Sequence, residues 1–305
     1  MIPGLAAALA AFFLAAIVAW RFARWMRGRE IGQHIREEGP AHHQKKAGTP
    51  TMGGVVFLLV WGAAAGLLAL WVPFGEPEAV VLAWGFVMGA IGARDDVIKL
   101  RRKRSLGLSG WQKIGLTAGA AAGLYFAFPG AVASALAVPF STLVLDVPPW
   151  GLALLAVVVF LSVTNAVNFT DGLDGLAAGV VLLILGGFLA LARDAAELAY
   201  LLPLVGALGG FLWANAHPAS LIMGDVGSFG LGGVLAAVAL SQGTAFLLPI
   251  LAGVPVLEVV AVILQVASLR TFHRRLLRMS PLHHHFDASP GAADRGQFLP
   301  ACQWP

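Results

Sequence analysis

Five stretches of this 305-residue chain place groups suited to phosphate and metal chemistry close together. GARDDVIK (92–99) sets Asp95 beside Asp96 and follows them with Lys99. Adjacent carboxylates repel unless a cation is near. Carboxylate oxygens with an ammonium suit a Mg²⁺-bound phosphate. The plain alternative is a helix end with an i,i+3 or i,i+4 ion pair. NAVNFTDGLDGLAAG (165–179) crowds Asn165, Asn168, Thr170, Asp171 and Asp174 around Gly172, Gly175 and Gly179. Glycine there permits tight backbone beside a ligand. An Asp could simply cap the next helix, but one cap needs one acid, not two acids and two Asn. NAHPASLIMGDVGSFG (215–230) holds Asp225 in a glycine-bounded turn, where it could cap a helix, bind metal, or do both. SPLHHHFD (280–287) has three successive histidines. From a loop, two of them can face one ligand, for diphosphate contact or proton transfer. Zinc would lack a cysteine partner and HExxH spacing. GPAHHQKKAGTPTMGG (39–54) combines hydroxyls, backbone amides, Lys45 and Lys46, which suits an anion; the plain alternative is a basic membrane anchor.

The elements that must position these groups are oily. The chain is 58% hydrophobic and 12% charged, with mean hydropathy +0.81. Soluble domains carry about 25% charged residues, so most of this surface faces lipid. Apolar runs predict membrane spans at 3–21, 53–73, 78–94, 112–129, 150–167, 174–192, 198–214, 228–241 and 245–269. The first run resembles a signal peptide in composition, but its positive charges follow the apolar stretch and it is long for that role. VPFSTLVLDVPP (138–149) alternates and predicts a short hairpin outside the membrane. The lone cysteine, Cys302, can form no internal disulfide.

Charge sets the orientation. Of 20 Lys and Arg, all but Arg193 and Arg295 fall into three clusters: 21–46, 94–113 and 270–278. Nine spans place all three clusters on one face, the cytoplasmic one, with the N-terminus outside. Asp95, Asp96, Asp171, Asp174, Asp225 and every histidine map to that same face. The expected fold is an all-α polytopic membrane protein with one polar site at the cytoplasmic membrane edge, built from converging loops. Glu258 is the one acid placed inside a span. The pI near 9.6 follows from membrane orientation and calls for no nucleic-acid partner. Walker A and GxGxxG fingerprints are absent from the sequence.

GTPTMGG, DDxxK, NAVNFTDGLDGLA, MGDVGS and PLHHHF, in this order, resemble the phospho-N-acetylmuramoyl-pentapeptide transferase (MraY) family. That family belongs to the polyprenyl-phosphate N-acetylhexosamine-1-phosphate transferases. The resemblance covers residues 25–286. DDxxK is shared across the superfamily, while GTPTMGG and the histidine run mark this branch. The resemblance implies transfer of phospho-MurNAc-pentapeptide from UDP-MurNAc-pentapeptide to undecaprenyl phosphate, giving lipid I and UMP. It implies Mg²⁺ as cofactor, membrane lipid as surroundings, the bacterial inner membrane as location, and a homodimer. Asp95, Asp96 and Asp225 match its central acids and metal ligands, with Asp225 the foremost ligand and His284 a further catalytic group. Asp95 would either activate the lipid phosphate or attack through an aspartyl-phosphate. Lys46, Thr51, Lys113, Asn168, Asp171, Asp174, Asn215, Gln265 and His285 match substrate-binding positions, with Gln265 on the uracil side.

Two departures stand out. Ile222 occupies a position where the family often has a uracil-stacking Phe. After the histidine run, family members continue into a final span, making ten. Here residues 287–305 read as a polar, disordered tail, leaving residues 1–286 as a single integral-membrane domain. The competing readings are another UDP-sugar:polyprenyl-phosphate transferase, which substrate competition separates, and a secondary transporter. Transporter sites lie near the bilayer midplane, whereas these acids gather at one face.

Overall fold

A computed structural model describes residues 2–29, 32, 48–104 and 106–287. Lys46 and the polar tail beyond Asp287 lie outside the described residues. The fold is all-α and polytopic. Its helices are α1 (Ile2–Gly28), α2 (Gly54–Leu68), α3 (Glu76–Arg102), α4 (Gly110–Ala127), α5 (Pro149–Thr170), α6 (Leu176–Leu191), α7 (Ala195–Asn215), α8 (Gly224–Ser241), α9 (Leu248–Leu251), α10 (Gly253–Phe272) and α11 (Leu282–Asp287). Among the described residues, α1, α3, α5, α7, α8 and α10 are long and apolar enough to cross a membrane, and α2 and α6 are shorter apolar helices.

Helix α8 is the axis of the bundle. Every residue from Val226 to Leu240 is buried. A helix buried all round belongs to a core, and α8 packs on α3 and α5 above all. Its 18 residues span about 27 Å, close to the thickness of a bilayer core. Asp225 sits at one end and Gln242 just past the other, so α8 separates two polar layers. Helix α1 packs along α7, where Gly206 meets the Ala8 carbonyl and Gly210 meets the Phe12 carbonyl and Ala15, and its Ala11, Ala15, Ala19 and Ala23 are each at most 2% exposed. Without a hydrophobic drive between lipid-solvated helices, such small side chains let backbones approach and gain dispersion contact.

The expected hairpin is present with a shifted start. Strand β1 (Ala135–Ala137) pairs antiparallel with β2 (Val144–Asp146), Leu136 facing Leu145. The hairpin is tied to the Gln242 end of α8, since Ala133 N–H donates to Leu240 O and Ala137 N–H to Gly243 O.

Four local expectations need correction. Helix α3 does not stop near residue 94 but runs to Arg102, so Asp95 and Asp96 lie inside it, about two turns from its end. Helix α8 begins at Gly224, not 228, and Asp225 is in its first turn. The run 245–269 is not one helix: the chain breaks at Ala252 between α9 and α10. Pro249 and Pro255 each fall in a first turn, where a missing N–H costs nothing. The histidines lie on the short helix α11, not on a loop.

Candidate active site

At the Gly92 level α3 and α8 meet through their backbones. A Cβ on Gly92 would run into the carbonyl oxygen of Asp225. This approach sets Asp95 and Asp96, one turn onward along α3, against the first turn of α8. Helix α8 starts on Gly224 at φ +76°, a conformation that costs an L-residue about 1–2 kcal/mol. Asp96 Oδ2 accepts the Val226 N–H at 3.0 Å. It thereby satisfies one of the amides that a helix start leaves unpaired.

One ligand oxygen from each of Asp95, Asp96 and Asp225 lies within 4.8 Å of the others, and all three residues are buried. Two lysines lace the acids together. Lys99 Nζ is 2.6 Å from Asp95 Oδ2, 2.9 Å from Asp225 Oδ1 and 3.7 Å from Asp96 Oδ1. Lys113 Nζ is 2.5 Å from Asp225 Oδ2 and 3.3 Å from Asp95 Oδ1, and stands 5.4 Å from the Phe229 ring centroid. The Leu108 N–H also donates to Asp95 Oδ1, at 2.6 Å. Fully ionised, three carboxylates outnumber two ammoniums, leaving room for more positive charge. The donors are hard carboxylate oxygens without nitrogen or sulfur, which suits Mg²⁺ and its kin and not zinc or copper.

Lys113 is aimed by a capping box that had a sequence signal, Ser109 followed by Gln112. Ser109 Oγ accepts the Gln112 N–H at 3.3 Å, and Gln112 Oε1 accepts the Ser109 N–H at 2.9 Å. That fixes the start of α4 and the direction of its first turn. Lys99, met in the sequence as a neighbour of the acid pair, proves to bridge all three acids.

The remaining candidates form a ring around this cluster. Segment 50–54 pairs with 222–223: Ile222 N–H donates to Pro50 O, Gly53 N–H to Ile222 O and Gly54 N–H to Met223 O. Ile222 thus holds the 50–54 segment by its backbone, and buried Thr51 lies beside Gly224. Asn168 Nδ2 donates to Ser228 Oγ at 2.9 Å, tying the end of α5 to α8 one turn past Asp225. Asp174 is not a helix cap, since the residue capping α6 is Gly175. Asp174 Oδ2 instead accepts from the Ala219 N–H at 3.1 Å and faces His217 Nδ1 at 3.0 Å. Asn215 bridges the same loops, accepting from Gly175 N–H at 3.1 Å and donating to Leu221 O at 3.0 Å. Asp171 follows the last residue of α5, on the same loop.

Gln265 and the histidines are arranged differently. Gln265 Oε1 accepts from the Leu276 and Leu277 amides at 3.1 and 2.8 Å, so its amide is engaged by the chain's own backbone. His285 Nδ1 accepts the Arg278 N–H at 3.1 Å, and the His284 ring lies 4.2 Å from that of His283. Helix α11 abuts the 171–175 loop, because the His283 ring is seated against Gly172. Sequence reading placed His217 and His283 on this face and quoted Ser228 within a motif, but gave none of the three a role.

The motifs that build this geometry are those that known proteins share. Residues 79–243, from α3 through α8, match the family described as glycosyl transferase family 4. Residues 46–58, which carry Thr51, match phospho-N-acetylmuramoyl-pentapeptide-transferase signature 1. A protein of Moorella thermoacetica named phospho-N-acetylmuramoyl-pentapeptide-transferase is 44% identical over 273 residues, covering 86% of this chain and 83% of its own length. Proteins of the same name from Heliobacterium modesticaldum and Geobacillus kaustophilus are 41% and 40% identical, covering 91% and 90% of this chain and 88% and 86% of their own. With the matched stretches supplying all three acids, both lysines and the loops around them, the chain belongs to the phospho-N-acetylmuramoyl-pentapeptide-transferase family.

Proposed function

We propose that the chain transfers phospho-MurNAc-pentapeptide from UDP-MurNAc-pentapeptide to undecaprenyl phosphate, forming lipid I and releasing UMP. The observation that carries this reading is the buried cluster of Asp95, Asp96 and Asp225 laced by Lys99 and Lys113 at one end of the membrane helices. A lipid phosphate and a water-soluble nucleotide can meet only at such a membrane edge. We place that edge on the cytoplasmic face of a bacterial inner membrane, with the N-terminus outside, nine crossings and a homodimeric assembly.

Asp95, Asp96 and Asp225 would hold Mg²⁺, which supplies charge to offset the diphosphate. Lys99 and Lys113 add ammoniums able to move from carboxylate to phosphate oxygens as substrate enters. Thr51, Asn168, Asp171, Asp174 and Asn215 shape the surrounding loops for the nucleotide sugar, with Lys46 from the preceding segment. His284 and His285 approach from α11. In the transfer, an oxygen of the lipid phosphate forms a bond to the sugar-linked phosphorus, and the bond from that phosphorus to UMP breaks. Asp95 has Oδ1 engaged by Leu108 N–H and Lys113, and Oδ2 by Lys99. A carboxylate so engaged is a weak nucleophile, which favours direct displacement over an aspartyl-phosphate.

The test is UMP release by purified protein in detergent with both substrates and Mg²⁺, beside Asp225→Asn. Mg²⁺-dependent release absent from the variant supports the reading. Release that prefers UDP-GlcNAc would replace it with another sugar-phosphate transferase, and the absence of release by folded protein would overturn it.

A further inference from the structure

Helix α10 is a lipid-facing helix with one polar stripe. Leu257, Val260, Ile263 and Leu264 are exposed, whereas Pro255, Glu258, Ala261, Gln265 and Ser268 are buried. After α10 the chain turns at His273, φ +51°, and runs back along this stripe. Ser268 Oγ donates to Arg274 O at 2.8 Å, Gln265 takes the Leu276 and Leu277 amides, and Glu258 takes His283. The stripe fastens residues 274–283 antiparallel to α10.

The Glu258 contact is the deepest. The His283 N–H lies 3.2 Å from both Glu258 oxygens, and His283 Nδ1 is 3.2 Å from Oε2. Glu258 is 4% exposed and His283 7%. The other side of the same imidazole meets Gly172: a Cβ there would strike Nε2. One ring therefore stands between a carboxylate on α10 and the loop that carries Asp171 and Asp174. The structural alternative is that Glu258 merely satisfies a buried amide. An amide needs one acceptor, however, and here a full carboxylate also faces the ring nitrogen.

We propose that Glu258 is a positioning residue: by clamping His283 it seats α11 against Gly172 and so holds the 171–175 loop in the shape that receives the nucleotide sugar. The inference rests on the transferase reading for its substrate, but the clamp has its own readout.

Two variants test it, Glu258→Ala and Glu258→Gln, the latter keeping an acceptor for the His283 amide. Hydrogen exchange reads the clamp without substrate. In Glu258→Ala, amides of 282–286 should lose protection about 10-fold or more, while those of 256–272 keep theirs. In turnover, KM for UDP-MurNAc-pentapeptide should rise about 10-fold, with KM for undecaprenyl phosphate unchanged. Glu258→Gln should restore most of both. Gly172→Ala, which displaces the ring from the other side, should raise the same KM and add little to Glu258→Ala. Unchanged exchange in 282–286 overturns the clamp. Altered exchange with both KM values unchanged, or a lower kcat alone, overturns the positioning role. If Glu258→Ala does not fold, Gly172→Ala carries both tests, the rise in KM and the loss of protection at 282–286. A wild-type protein that releases no UMP defeats the transferase reading, and the exchange result then still decides the clamp.

Discussion

Replacing Lys113 by Met should destabilise the protein in a way that a second, charge-balancing change repairs. Lys113 Nζ reaches Asp225 Oδ2 at 2.5 Å and Asp95 Oδ1 at 3.3 Å, with its side chain 19% exposed and that of Asp95 1%. Removing one partner of a buried pair costs about 3–5 kcal/mol because the other charge stays buried. The partial exposure of the lysine lets water screen some of this, so about 2–3 kcal/mol is expected. Lys99 still touches both acids and sets a limit on the loss. The assay is thermal unfolding in detergent with EDTA, where the variant should melt roughly 5 °C lower. Lys113→Met/Asp225→Asn removes one charge of each sign and returns the cluster to its original balance. It should unfold closer to wild type than the sum of the two single changes, with a coupling of about 1–2 kcal/mol. Added Mg²⁺ should raise the Lys113→Met midpoint more than that of wild type, by resupplying positive charge. None of these variants should turn over. Strict additivity, or a Lys113→Met midpoint equal to wild type, would refute the argument that the lysines neutralise this cluster.

Three other outcomes follow from the geometry. Asp171→Asn should lower UMP release at least about 10-fold with the melting curve unchanged, since the residue lies on a loop and not in the packed core; a fully active variant removes Asp171 from the site. Gly92→Ala should cost about 1–3 kcal/mol and abolish turnover, because its methyl group would push α3 from the Asp225 carbonyl; unfolding and turnover measured together should fall together. Chelation should abolish UMP release reversibly, with Mg²⁺ restoring it and Zn²⁺ not doing so, as oxygen donors dictate; activity retained in excess EDTA would remove the metal from the mechanism.

The second polar layer, at the far end of α8, is organised differently. Gln242 Nε2 donates to Glu197 Oε2 at 3.1 Å, and Arg193 N–H donates to the same oxygen at 2.8 Å. Arg193 also reaches the Gln242 carbonyl through its guanidinium. Glu197 itself is set by Asp194, which caps α7 at 2.9 Å. These groups lie at the start of α7 and just past the end of α8 and bond to one another. The acid cluster at the Asp225 end instead gathers three carboxylates around two ammoniums.

Much of this was legible in the sequence by itself. Lipid-length apolar runs are a direct consequence of bilayer thickness, so most helices were found near their true positions. Acids cannot be scattered through such runs without cost, so Asp95, Asp96, Asp171, Asp174 and Asp225 stood out by their type alone. What the sequence could not determine was distance. Asp95 and Asp225 are 130 residues apart and meet only because Gly92 lets two backbones touch. The length of α3 past residue 94 was hidden too, because its last turns are polar and lie outside the apolar run, while Leu108 and Val226 amides and two lysines satisfy the acids there. Glu258 looked like an isolated charge within a span. Tertiary structure decided otherwise by returning the chain along α10, so that an acid costly in lipid acquired a buried histidine and a backbone amide as partners.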